Sequence, residues 1–519
     1  MSASRRSPRV EELVPPPDPV RCCELLEGLP HRLFLDSASR GSRLGRHSYL
    51  TADPFAVVRS DEGEPDPLAR VRSMLAPFRC ERVAGLPPFQ GGAAGYIAYD
   101  WGLALERLPA PAYDDLGLDD LVLGLYDWVL AWDHVQSKAW LISTGMPEAA
   151  PDAAARRATE RALSIRRLLD SPVLDSPVRS VRPAVRSVRL QADPEGPAKA
   201  GHYVSNEVSN EVSNERAPSY LVDNGWWDSR LAIRSSFTRE AYLKAVERVR
   251  EYIFAGDIFQ ANLSQRFETP LLEPPWTLYR RLREYNPAPF AAFLDFPGVA
   301  VLSASPERFL RVDADSRVET RPIKGTRPRG VGPEHDAALG QALAESAKDR
   351  AENLMIVDLM RNDLSRVCTP GTVRVAELFA LEQYATVHHL VSTVVGQLAP
   401  GADALDLMRA AFPGGSITGA PKLRAMEIIA ELEPSWRGVY CGSIGYWSIT
   451  GELDTSIAIR TVVARNGRVY FNAGGGIVAD SDPVAEYQET LDKARGLINA
   501  LAVPEINRGL DNSDDSRHR

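Results

Sequence analysis

The sequence predicts an α+β fold in which antiparallel strands dominate the first part of the chain and helices alternate with strands in the second. Two observations predict it. Between residues 93 and 144, short apolar runs are separated by turn residues, which is typical of antiparallel strands. After residue 236, apolar residues recur at helical spacing in some segments and alternate in others. The length of 519 residues predicts two to three domains.

Composition divides the chain into five segments. Residues 1–20 are polar and proline-rich, and the tetrapeptide VSNE is repeated three times over residues 204–215. A four-residue period is too short for a solenoid repeat, so we interpret the surrounding stretch as a flexible insertion. We therefore expect a disordered segment (1–20), a strand-rich N-terminal domain (21–170), a low-complexity insertion (171–236), a C-terminal domain (237–502) and a disordered tail (503–519).

The C-terminal domain begins and ends with predicted helices. Thr238 is a candidate N-cap, Glu240 favours the first turn, and Tyr242, Val246 and Val249 follow at helical spacing. The other predicted elements are a strand at 259–269, a helix at 342–360, strands at 442–449, 454–464 and 468–479, and a closing helix at 482–501.

Charge and cysteine content restrict the class of protein. The net charge of −9 argues against nucleic acid or an anionic membrane as a partner, because both need a basic surface. The five cysteines are an odd number without zinc-ligand or redox spacing, which is typical of a reducing compartment. We find neither a signal peptide nor a run long enough to span a bilayer. We therefore expect a cytoplasmic protein that binds neither nucleic acid nor membranes.

Two pairs of acidic residues lie on predicted helices. Asp349 and Glu352 are three residues apart, as are Glu486 and Glu489, so each pair shares one helix face. If the two helices faced each other, the four carboxylates would need a cation, and oxygen ligands completed by water suit Mg²⁺. The spacing alone favours two solvated helix faces over a metal site.

The glycine run NAGGGIV (472–478) and Arg460 are candidate binding elements. Three glycines expose backbone N–H groups to a carboxylate or phosphate, although a bulge or tight bend would explain them as well. Arg460 ends an alternating apolar run, where it would suit either a bound carboxylate or a strand-end ion pair. His388 and His389 are adjacent, so on a strand at most one of them faces a given pocket.

Several motifs together resemble the chorismate-utilising enzymes. They are GDIFQANLSQRF (256–267), SPERFL (305–310), RPIKGTRPRG (321–330), AENLMIVDLMRNDLSRV (351–367), FPGGSITGAPKLRAMEII (412–429) and GIVADSDPVAEYQETLDKA (476–494). The match spans residues 237–502 and is most similar to the aminodeoxychorismate synthase component I branch. It implies an anthranilate synthase component I-like α+β fold, with antiparallel β-sheets packed face to face, helices outside, two interleaved subdomains and the substrate site between them.

The resemblance implies a role for each matching residue. Glu352 and Glu489 match direct Mg²⁺ ligands, and Asp349 and Glu486 match neighbouring acids. The ion would neutralise the ring carboxylate of chorismate and hold the substrate in place. The residues that match the substrate-binding positions are Gly325, Thr326, Tyr440, Arg460, Gly474, Gly475, Gly476, Lys493 and Gln260. His389 matches a catalytic histidine near the leaving hydroxyl.

Lys324 and Gln260 distinguish the branches of the family. Enzymes that resemble anthranilate synthase carry alanine (PIAGT) at the position where this sequence has Lys324 (PIKGT). The resemblance implies that the amine of this lysine attacks C2 of chorismate and forms a covalent intermediate. Glu307 matches the acid that protonates the departing hydroxyl. Isochorismate and salicylate synthases carry a water-activating lysine at the position of Gln260. The pair Gln260 and Lys324 therefore implies ammonia as the nucleophile and C4 as its target.

The N-terminal motif FLDSAS (34–39), with NPAPF (286–290), resembles the tryptophan pocket of these proteins. Ser37, Pro289 and Phe290 match its residues. In anthranilate synthases this pocket is a feedback site, whereas in aminodeoxychorismate synthases a bound tryptophan can be structural. The sequence leaves open which of these roles applies.

The resemblance predicts component I of an aminodeoxychorismate synthase, which converts chorismate and ammonia to 4-amino-4-deoxychorismate in 4-aminobenzoate and folate biosynthesis. No glutaminase motif is found, so a separate glutamine amidotransferase subunit would supply the ammonia. The chain ends soon after the closing helix, so we expect no fused lyase. The alternatives are anthranilate synthase component I and a non-catalytic, tryptophan-binding regulatory homologue.

Overall fold

A computed structural model describes residues 7–39, 44–60, 66–171, 215–222, 227, 229–384 and 387–502. The helices are α1 (Pro19–Leu25), α2 (Pro67–Leu75), α3 (Trp101–Glu106), α4 (Pro151–Leu169), α5 (Arg239–Ala255), α6 (Pro275–Tyr285), α7 (Pro333–Glu345), α8 (Ala347–Ser365), α9 (Ala404–Ala411), α10 (Lys422–Leu432) and α11 (Pro483–Leu501). Short 3₁₀ turns occupy Ala76–Phe78, Ser229–Leu231 and Gly415–Ile417.

The described strands form two antiparallel sheets. They are β1 (Arg9–Glu12), β2 (Arg32–Asp36), β3 (His47–Thr51), β4 (Ala56–Arg59), β5 (Gly92–Ile97), β6 (Leu121–Tyr126), β7 (Trp128–Asp133), β8 (Lys138–Ser143), β9 (Tyr220–Leu221), β10 (Arg234–Ser235), β11 (Gln260–Pro270), β12 (Phe290–Phe296), β13 (Val299–Ser305), β14 (Arg308–Val312), β15 (Arg317–Thr320), β16 (Ile323–Pro328), β17 (Arg374–Gln383), β18 (Val387–Gln397), β19 (Gly419–Ala420), β20 (Ser443–Ser448), β21 (Leu453–Ile457), β22 (Thr461–Arg465) and β23 (Arg468–Ile477).

Each sheet takes strands from both halves of the chain. The larger sheet has the order β1-β8-β7-β3-β2-β12-β13-β22-β23-β11-β10-β9, with β19 also paired to β11. The smaller sheet has the order β16-β18-β15-β14-β21-β20-β5-β6-β4, with β17 paired to β18. The pairs β2–β12 and β5–β20 join the two halves. The subdomains are therefore interleaved, as the family resemblance implies.

The two sheets pack face to face around a shared apolar core. Tyr49, Val129 and Val301 from the larger sheet contribute to the same cluster as Tyr96 and Tyr446 from the smaller one. A second cluster lies between the larger sheet and helices that include α6 and α11, and a third lies between the smaller sheet and helices that include α8 and α9. The layers are thus helix, sheet, sheet and helix, which confirms the predicted α+β class.

Local capping explains where the helices of the C-terminal domain begin. Thr238 accepts a hydrogen bond from the Ala241 N–H at 3.1 Å, which agrees with its predicted role as N-cap. The predicted continuous helix over 342–360 is in fact two helices, α7 and α8. They separate at Ser346, whose Oγ accepts from the Asp349 N–H at 3.2 Å and starts α8 anew.

The structure corrects the predicted limits of two segments. Residues 9–12 were expected to be disordered, yet they form β1, which pairs with β8. Part of the predicted insertion (171–236) is also ordered, because β9 and β10 extend the edge of the larger sheet beyond β11. Residues 1–6, 172–214, 223–226 and 228, and the predicted tail 503–519, lie outside the described residues. None of the helices in the described ranges is long and apolar enough to cross a bilayer.

Candidate active site

The two sheets bring Lys324 and the glycine run of β23 together. A Cβ built on Gly476 would lie 3.3 Å from the Lys324 Nζ atom and would collide with the Gln260 carboxamide. Lys324 belongs to β16 of the smaller sheet, whereas Gly476 and Gln260 belong to β23 and β11 of the larger one. The absence of a side chain at Gly476 therefore allows these three residues to meet.

Lys324 is half-buried in this cleft. Burial lowers the pKa of Lys324, and the nearby charge of Lys493 acts in the same direction. The carboxylates of Glu352, Glu307 and Glu489 favour its protonated form but do not outweigh these effects. Among the described residues, no hydrogen bond or ion pair holds the Lys324 amine. The amine is therefore easier to deprotonate than a surface lysine, and it is free to contact a ligand.

Glu307 is the buried acid of the site, with only 4% of its surface exposed. Its Oε1 atom accepts a hydrogen bond from the Ile323 N–H at 3.4 Å. Burial raises the pKa of Glu307 to about 7, although Ser416, Lys324 and Arg460 favour its ionised form. The side chain can therefore carry a proton near neutral pH, which suits a general acid.

His389 lies on β18 beside β16. Its Nδ1 atom is 2.9 Å from the Thr326 Oγ1 atom, and its Nε2 atom is buried without a partner among the described residues. Burial and the charge of Arg460 lower the pKa of His389 to about 3, so the ring is neutral at physiological pH. The neighbouring His388 points to α7, where its Nε2 atom lies 2.9 Å from Asp336. Only one histidine of the pair faces the cleft, as the strand geometry predicts.

The backbone segments that carry Arg460 and Tyr440 are joined where the Cys441 N–H donates to the Ala458 carbonyl at 2.9 Å. Arg460 has φ of +51° and the neighbouring turn residue Cys441 has φ of +64°, both in the left-handed region. The charge of Glu307 acts on both the Arg460 guanidinium and the Cys441 thiol. The Arg460 guanidinium has no ion-pair or hydrogen-bond partner within the described part of the chain. Tyr440 packs beside Arg437, whose guanidinium carbon is 5.9 Å from the ring centre.

The four predicted metal-binding acids lie in the first two turns of α8 and α11, with Asp349 and Glu486 in the first turn of each helix. A Cβ on Gly475 would lie 2.9 Å from Glu486 Oε2 and 3.6 Å from Glu489 Oε1, so both carboxylates lie against the glycine run. Burial raises the pKa of Glu352, and the charges of Asp349 and Glu489 add to this effect. The charges of the two helices therefore act on one another, whereas the spacing alone left this open.

Each of these acids also has a partner on the chain. Glu486 Oε1 accepts from the Ser481 hydroxyl at 2.6 Å, Asp349 Oδ2 pairs with Arg327 at 2.9 Å, and Glu489 Oε1 pairs with Lys493 at 2.6 Å. Lys493 also donates to the Gly474 carbonyl at 2.8 Å. Lys348 approaches Glu352 to 4.0 Å. No three acidic, histidine or cysteine side chains of the described residues converge closely enough to hold a metal by themselves.

The residues of the predicted tryptophan pocket lie apart from this cleft, between the sheets. Pro289 and Phe290 line a cavity of about 290 Å³. Ser37 is next to this wall rather than in it, and its hydroxyl contacts the His47 and Pro289 carbonyls at 2.5 and 3.4 Å. Arg308 also lines the cavity, with its guanidinium carbon 5.2 Å from the Phe290 ring centre. The three predicted residues therefore lie in one region of the structure, and its role as a tryptophan pocket stays a prediction.

Sequence reasoning missed three residues that hold the predicted ones. Arg327 binds Asp349, Ser481 binds Glu486, and Lys348 lies at the rim of the acids. The spacing of Lys348 and Glu352, four residues apart on α8, was a signal that could have identified the third. The other two pairs are separated by turns that the sequence pattern does not define.

Comparison with known proteins identifies the family. The sequence profile described as chorismate binding enzyme matches residues 31–499. The chain is 41% identical over 491 residues to "Aminodeoxychorismate synthase component 1" of Salmonella typhimurium, which covers 91% of this chain and 93% of the relative. It is 40% identical over 479 residues to "Anthranilate synthase component 1" of Cereibacter sphaeroides, which covers 91% of this chain and 85% of the relative.

A solved structure with this fold is anthranilate synthase component I from Streptococcus pneumoniae. Its TM-score is 0.68 at 30% identity, and the match covers 88% of this chain and 93% of that one. The expected anthranilate synthase component I-like fold is thus confirmed. Since the family profile spans most of the chain and includes the cleft, the chain belongs to the chorismate binding enzymes.

Proposed function

We propose that the chain is component I of an aminodeoxychorismate synthase and aminates chorismate at C4. The observation that carries the proposal is the position of Lys324, whose half-buried amine lies beside Gly476 and Gln260 with a lowered pKa. Overall similarity does not separate the two branches, because the relatives of both kinds are about equally identical to the chain. The residues of the cleft therefore carry the distinction.

The proposed reaction uses two displacements. The neutral Lys324 amine attacks C2 of chorismate, both conjugated ring double bonds shift, and the C4 hydroxyl leaves with a proton from Glu307 as water. Ammonia then adds at C4, both double bonds shift back, and the Lys324 nitrogen, which carried a positive charge in the adduct, leaves C2 as a neutral amine. The new ammonium group at C4 returns a proton to Glu307. The raised pKa of Glu307 supports its role as the acid. The neutral His389 ring, 2.9 Å from Thr326 on the strand that carries Lys324, would contact the departing hydroxyl.

Substrate binding would use two cations, Arg460 and Lys493, and the glycine run. The unpaired Arg460 guanidinium suits the enolpyruvyl carboxylate, with Tyr440 beside it. Lys493 and the backbone of Gly474–Gly476 would approach the ring carboxylate. Thr326 and Gly325 would line the other wall, where Gly325 adopts φ of +87° and packs against Asp349.

The acidic residues suit Mg²⁺ in the kind of donor they offer. Glu352 and Glu489 would be the direct ligands, with Asp349 and Glu486 beside them, and the mutual repulsion of these charges favours a cation. Two carboxylates completed by water and substrate match the usual shell of this ion. When bound, Mg²⁺ would neutralise the ring carboxylate of chorismate.

Two partners complete the proposal. The relatives of this branch are named "component 1", and a glutamine amidotransferase subunit would supply ammonia to this chain. The cavity beside Pro289 and Phe290 would bind tryptophan, with either a regulatory or a structural role. Because the proposed product is 4-amino-4-deoxychorismate, the chain would act in 4-aminobenzoate and folate biosynthesis.

Product analysis tests the proposal directly. The purified chain is incubated with chorismate, Mg²⁺ and ammonium chloride, and the products are separated by chromatography. We expect 4-amino-4-deoxychorismate, and intact-protein mass spectrometry of a quenched reaction should show an adduct lost in Lys324→Ala. Anthranilate with released pyruvate as the main product would instead assign the chain to the anthranilate branch. No chorismate consumption at any ammonium concentration would favour the non-catalytic homologue.

A further inference from the structure

Asn262 is a buried polar residue in the middle of the GDIFQANLSQRF segment. It is only 7% exposed, and its side-chain nitrogen Nδ2 has no hydrogen-bond partner among the described residues. A buried N–H group without an acceptor has lost its hydration without compensation, so it destabilises the folded protein. Such groups are few in native structures, which makes Asn262 a candidate for a ligand contact.

Alternation along β11 places the Asn262 side chain on the cleft side of the larger sheet. The flanking residues Ala261 and Leu263 belong to the apolar cluster formed with α5 and α10, so they point to the helix layer. Gln260, two residues before Asn262, points the other way and lies against Gly476. Successive side chains of a strand point to opposite faces, so Asn262 shares the face of Gln260.

The neighbouring strand leaves the face of Asn262 uncovered. The register pairs Asn262 of β11 with Gly476 of β23, which has no side chain that could offer an acceptor or cover the amide. A Cβ on Gly476 would lie 3.3 Å from the Lys324 Nζ atom. The Asn262 amide therefore borders the same part of the glycine run as the Lys324 amine.

Backbone hydrogen bonds fix the position of Asn262. Its N–H donates to the Thr418 carbonyl at 2.7 Å, and its carbonyl accepts from Arg437 Nη2 at 2.6 Å. Arg437 also donates from Nε and Nη2 to Glu433, at 2.8 and 2.6 Å, and from Nη1 to the Ile417 carbonyl at 3.1 Å. Both backbone groups of Asn262 are thus satisfied, whereas the side-chain Nδ2 remains available to a ligand.

Arg437 also relates Asn262 to the end of the cleft that carries Tyr440 and Arg460. Its guanidinium, which binds the Asn262 carbonyl, has its carbon atom 5.9 Å from the Tyr440 ring centre. The backbone segment of Tyr440 is in turn joined to that of Arg460. Under the proposed function, these two residues hold the enolpyruvyl carboxylate of chorismate. This carboxylate is therefore the substrate group that would meet the Asn262 amide.

We propose that Asn262 is a further substrate-contacting residue, whose Nδ2 donates a hydrogen bond to the enolpyruvyl carboxylate of bound chorismate. This inference rests on the proposed position of that carboxylate beside Arg460. The carboxylate supplies the acceptor that the described part of the chain does not, and a hydrogen bond to a charged group is stronger than one between neutral groups. Binding of chorismate would thus offset the unfavourable burial of the amide.

Asn262→Leu tests the contact, because leucine has the same branched shape as asparagine but cannot donate a hydrogen bond. Chorismate consumption is followed with the purified chain, MgCl₂ and excess ammonium chloride. We expect KM for chorismate to rise about tenfold or more, as for the loss of a hydrogen bond to a charged group, with kcat within about threefold. Without chorismate, the variant should unfold at the same urea concentration as the native chain or at a higher one, because the unpaired buried donor is gone.

Two further variants separate the lost hydrogen bond from other causes. Asn262→Ala removes the donor without adding bulk, so its KM should rise as in Asn262→Leu. Asn262→Asp keeps the shape but places a negative charge beside the substrate carboxylate, so its KM should rise further. An Asp variant with a lower KM than the Leu variant would contradict a contact with a carboxylate.

Gln90→Met is the matched control, because Gln90 is also a buried carboxamide but has partners at both ends. Its Oε1 atom accepts from the Val83 N–H at 3.1 Å, and its Nε2 atom donates to the Val83 and Pro87 carbonyls, both at 3.2 Å. The control should unfold at a lower urea concentration and keep KM for chorismate within about twofold. An equal rise of KM in the control, or an unchanged KM in Asn262→Leu and Asn262→Ala, would overturn the proposal. Chorismate consumption is measured whatever the product, so an anthranilate product would reject the proposed function alone.

Discussion

The candidate active site and the cavity between the sheets both contain basic side chains, but these side chains differ in whether they form ion pairs. In the cavity, Arg308 binds Glu319 at 2.8 Å and Asp454 at 2.9 Å, so its charge is compensated. In the cleft, Lys324 and the Arg460 guanidinium have no such partner within the described part of the chain. A partly buried cation without a counter-ion destabilises the folded protein.

This difference separates residues that hold the fold from residues that await a ligand. A paired cation such as Arg308 stabilises the contact between β14 and β21 and has little capacity left for a substrate. An unpaired cation in a cleft retains its hydrogen-bonding capacity and has a perturbed pKa, which are features of functional sites. Removing members of the two groups should therefore affect different measurements.

The largest expected effect is that of Lys324→Ala on catalysis. Loss of the nucleophile should lower ammonium-dependent formation of the C4 product on the order of 10⁴-fold, as for other enzymes that lose a covalent nucleophile. Thermal stability should not fall, because the amine holds no partner and its burial as a cation is unfavourable. A steady-state assay with product separation measures the first quantity. An unchanged rate of C4 product would exclude the covalent route, and slow amination at C2 would show that the rest of the cleft still works.

Glu307→Gln should have the next largest effect. The amide cannot donate a proton as an acid, so the rate should fall about 10²–10⁴-fold. The native enzyme should lose activity as pH rises through about 7, because Glu307 is then deprotonated and its pKa lies near that value. The variant should lack this loss. Reaction rates measured from about pH 5 to about pH 9, roughly two units either side of the pKa, check both the lower rate of the variant and its changed pH dependence. If Glu307→Gln still loses activity at alkaline pH, another group is responsible for that titration.

The sequence was most informative where the relevant information is local. The i, i+3 spacing of Glu486 and Glu489 and the hydroxyl of Thr238 determine a shared helix face and an N-cap without reference to the rest of the fold. The electrostatic interaction between Glu352 and Glu489 could be predicted only from the tertiary fold, because α8 packs on the smaller sheet and α11 on the larger one. The resemblance to the family predicted that the two acidic pairs meet, whereas their spacing along the sequence could not.

Other structural features could not be predicted from the pattern of apolar and polar residues. The apolar pattern continues from α7 into α8, so only the capping hydroxyl of Ser346 reveals the break between them. Strand β1 lies in a proline-rich stretch and is ordered because β8 offers it an open edge. The exposure of Phe254 and Phe259 on either side of the buried Ile258 was also unpredictable, because it depends on how α5 packs against α10.

Arg308→Met should affect stability where Lys324→Ala affects catalysis. Removing the guanidinium leaves Glu319 and Asp454 without their cation, and breaking a buried pair of this kind costs about 3 kcal/mol of unfolding free energy. The matched control is Arg280→Met, because Arg280 forms an exposed pair with Glu24 and should contribute less than about 1 kcal/mol. Urea unfolding followed by tryptophan fluorescence measures both. Equal destabilisation by the two variants would contradict the contrast between paired and unpaired cations.

The smallest expected effect is that of Lys348→Met on Mg²⁺ binding. Lys348 is exposed at the rim of the acids, 4.0 Å from Glu352, and its charge also acts on Glu486 and Glu489. Removing one screened positive charge should make Mg²⁺ bind about two- to fivefold more tightly, which corresponds to the strength of an exposed ion pair.

Calorimetric titration of the substrate-free protein with MgCl₂ measures this affinity without reference to turnover. Lys244→Met, which removes an exposed lysine from α5, is the control and should leave the affinity unchanged. The direction of the effect is the informative part. A rim lysine that competes with the metal for Glu352 must weaken metal binding, whereas one that orients the carboxylate must strengthen it. Weaker binding in Lys348→Met would therefore place this residue among the groups that shape the acids for their ligand, beside Arg327 and Ser481.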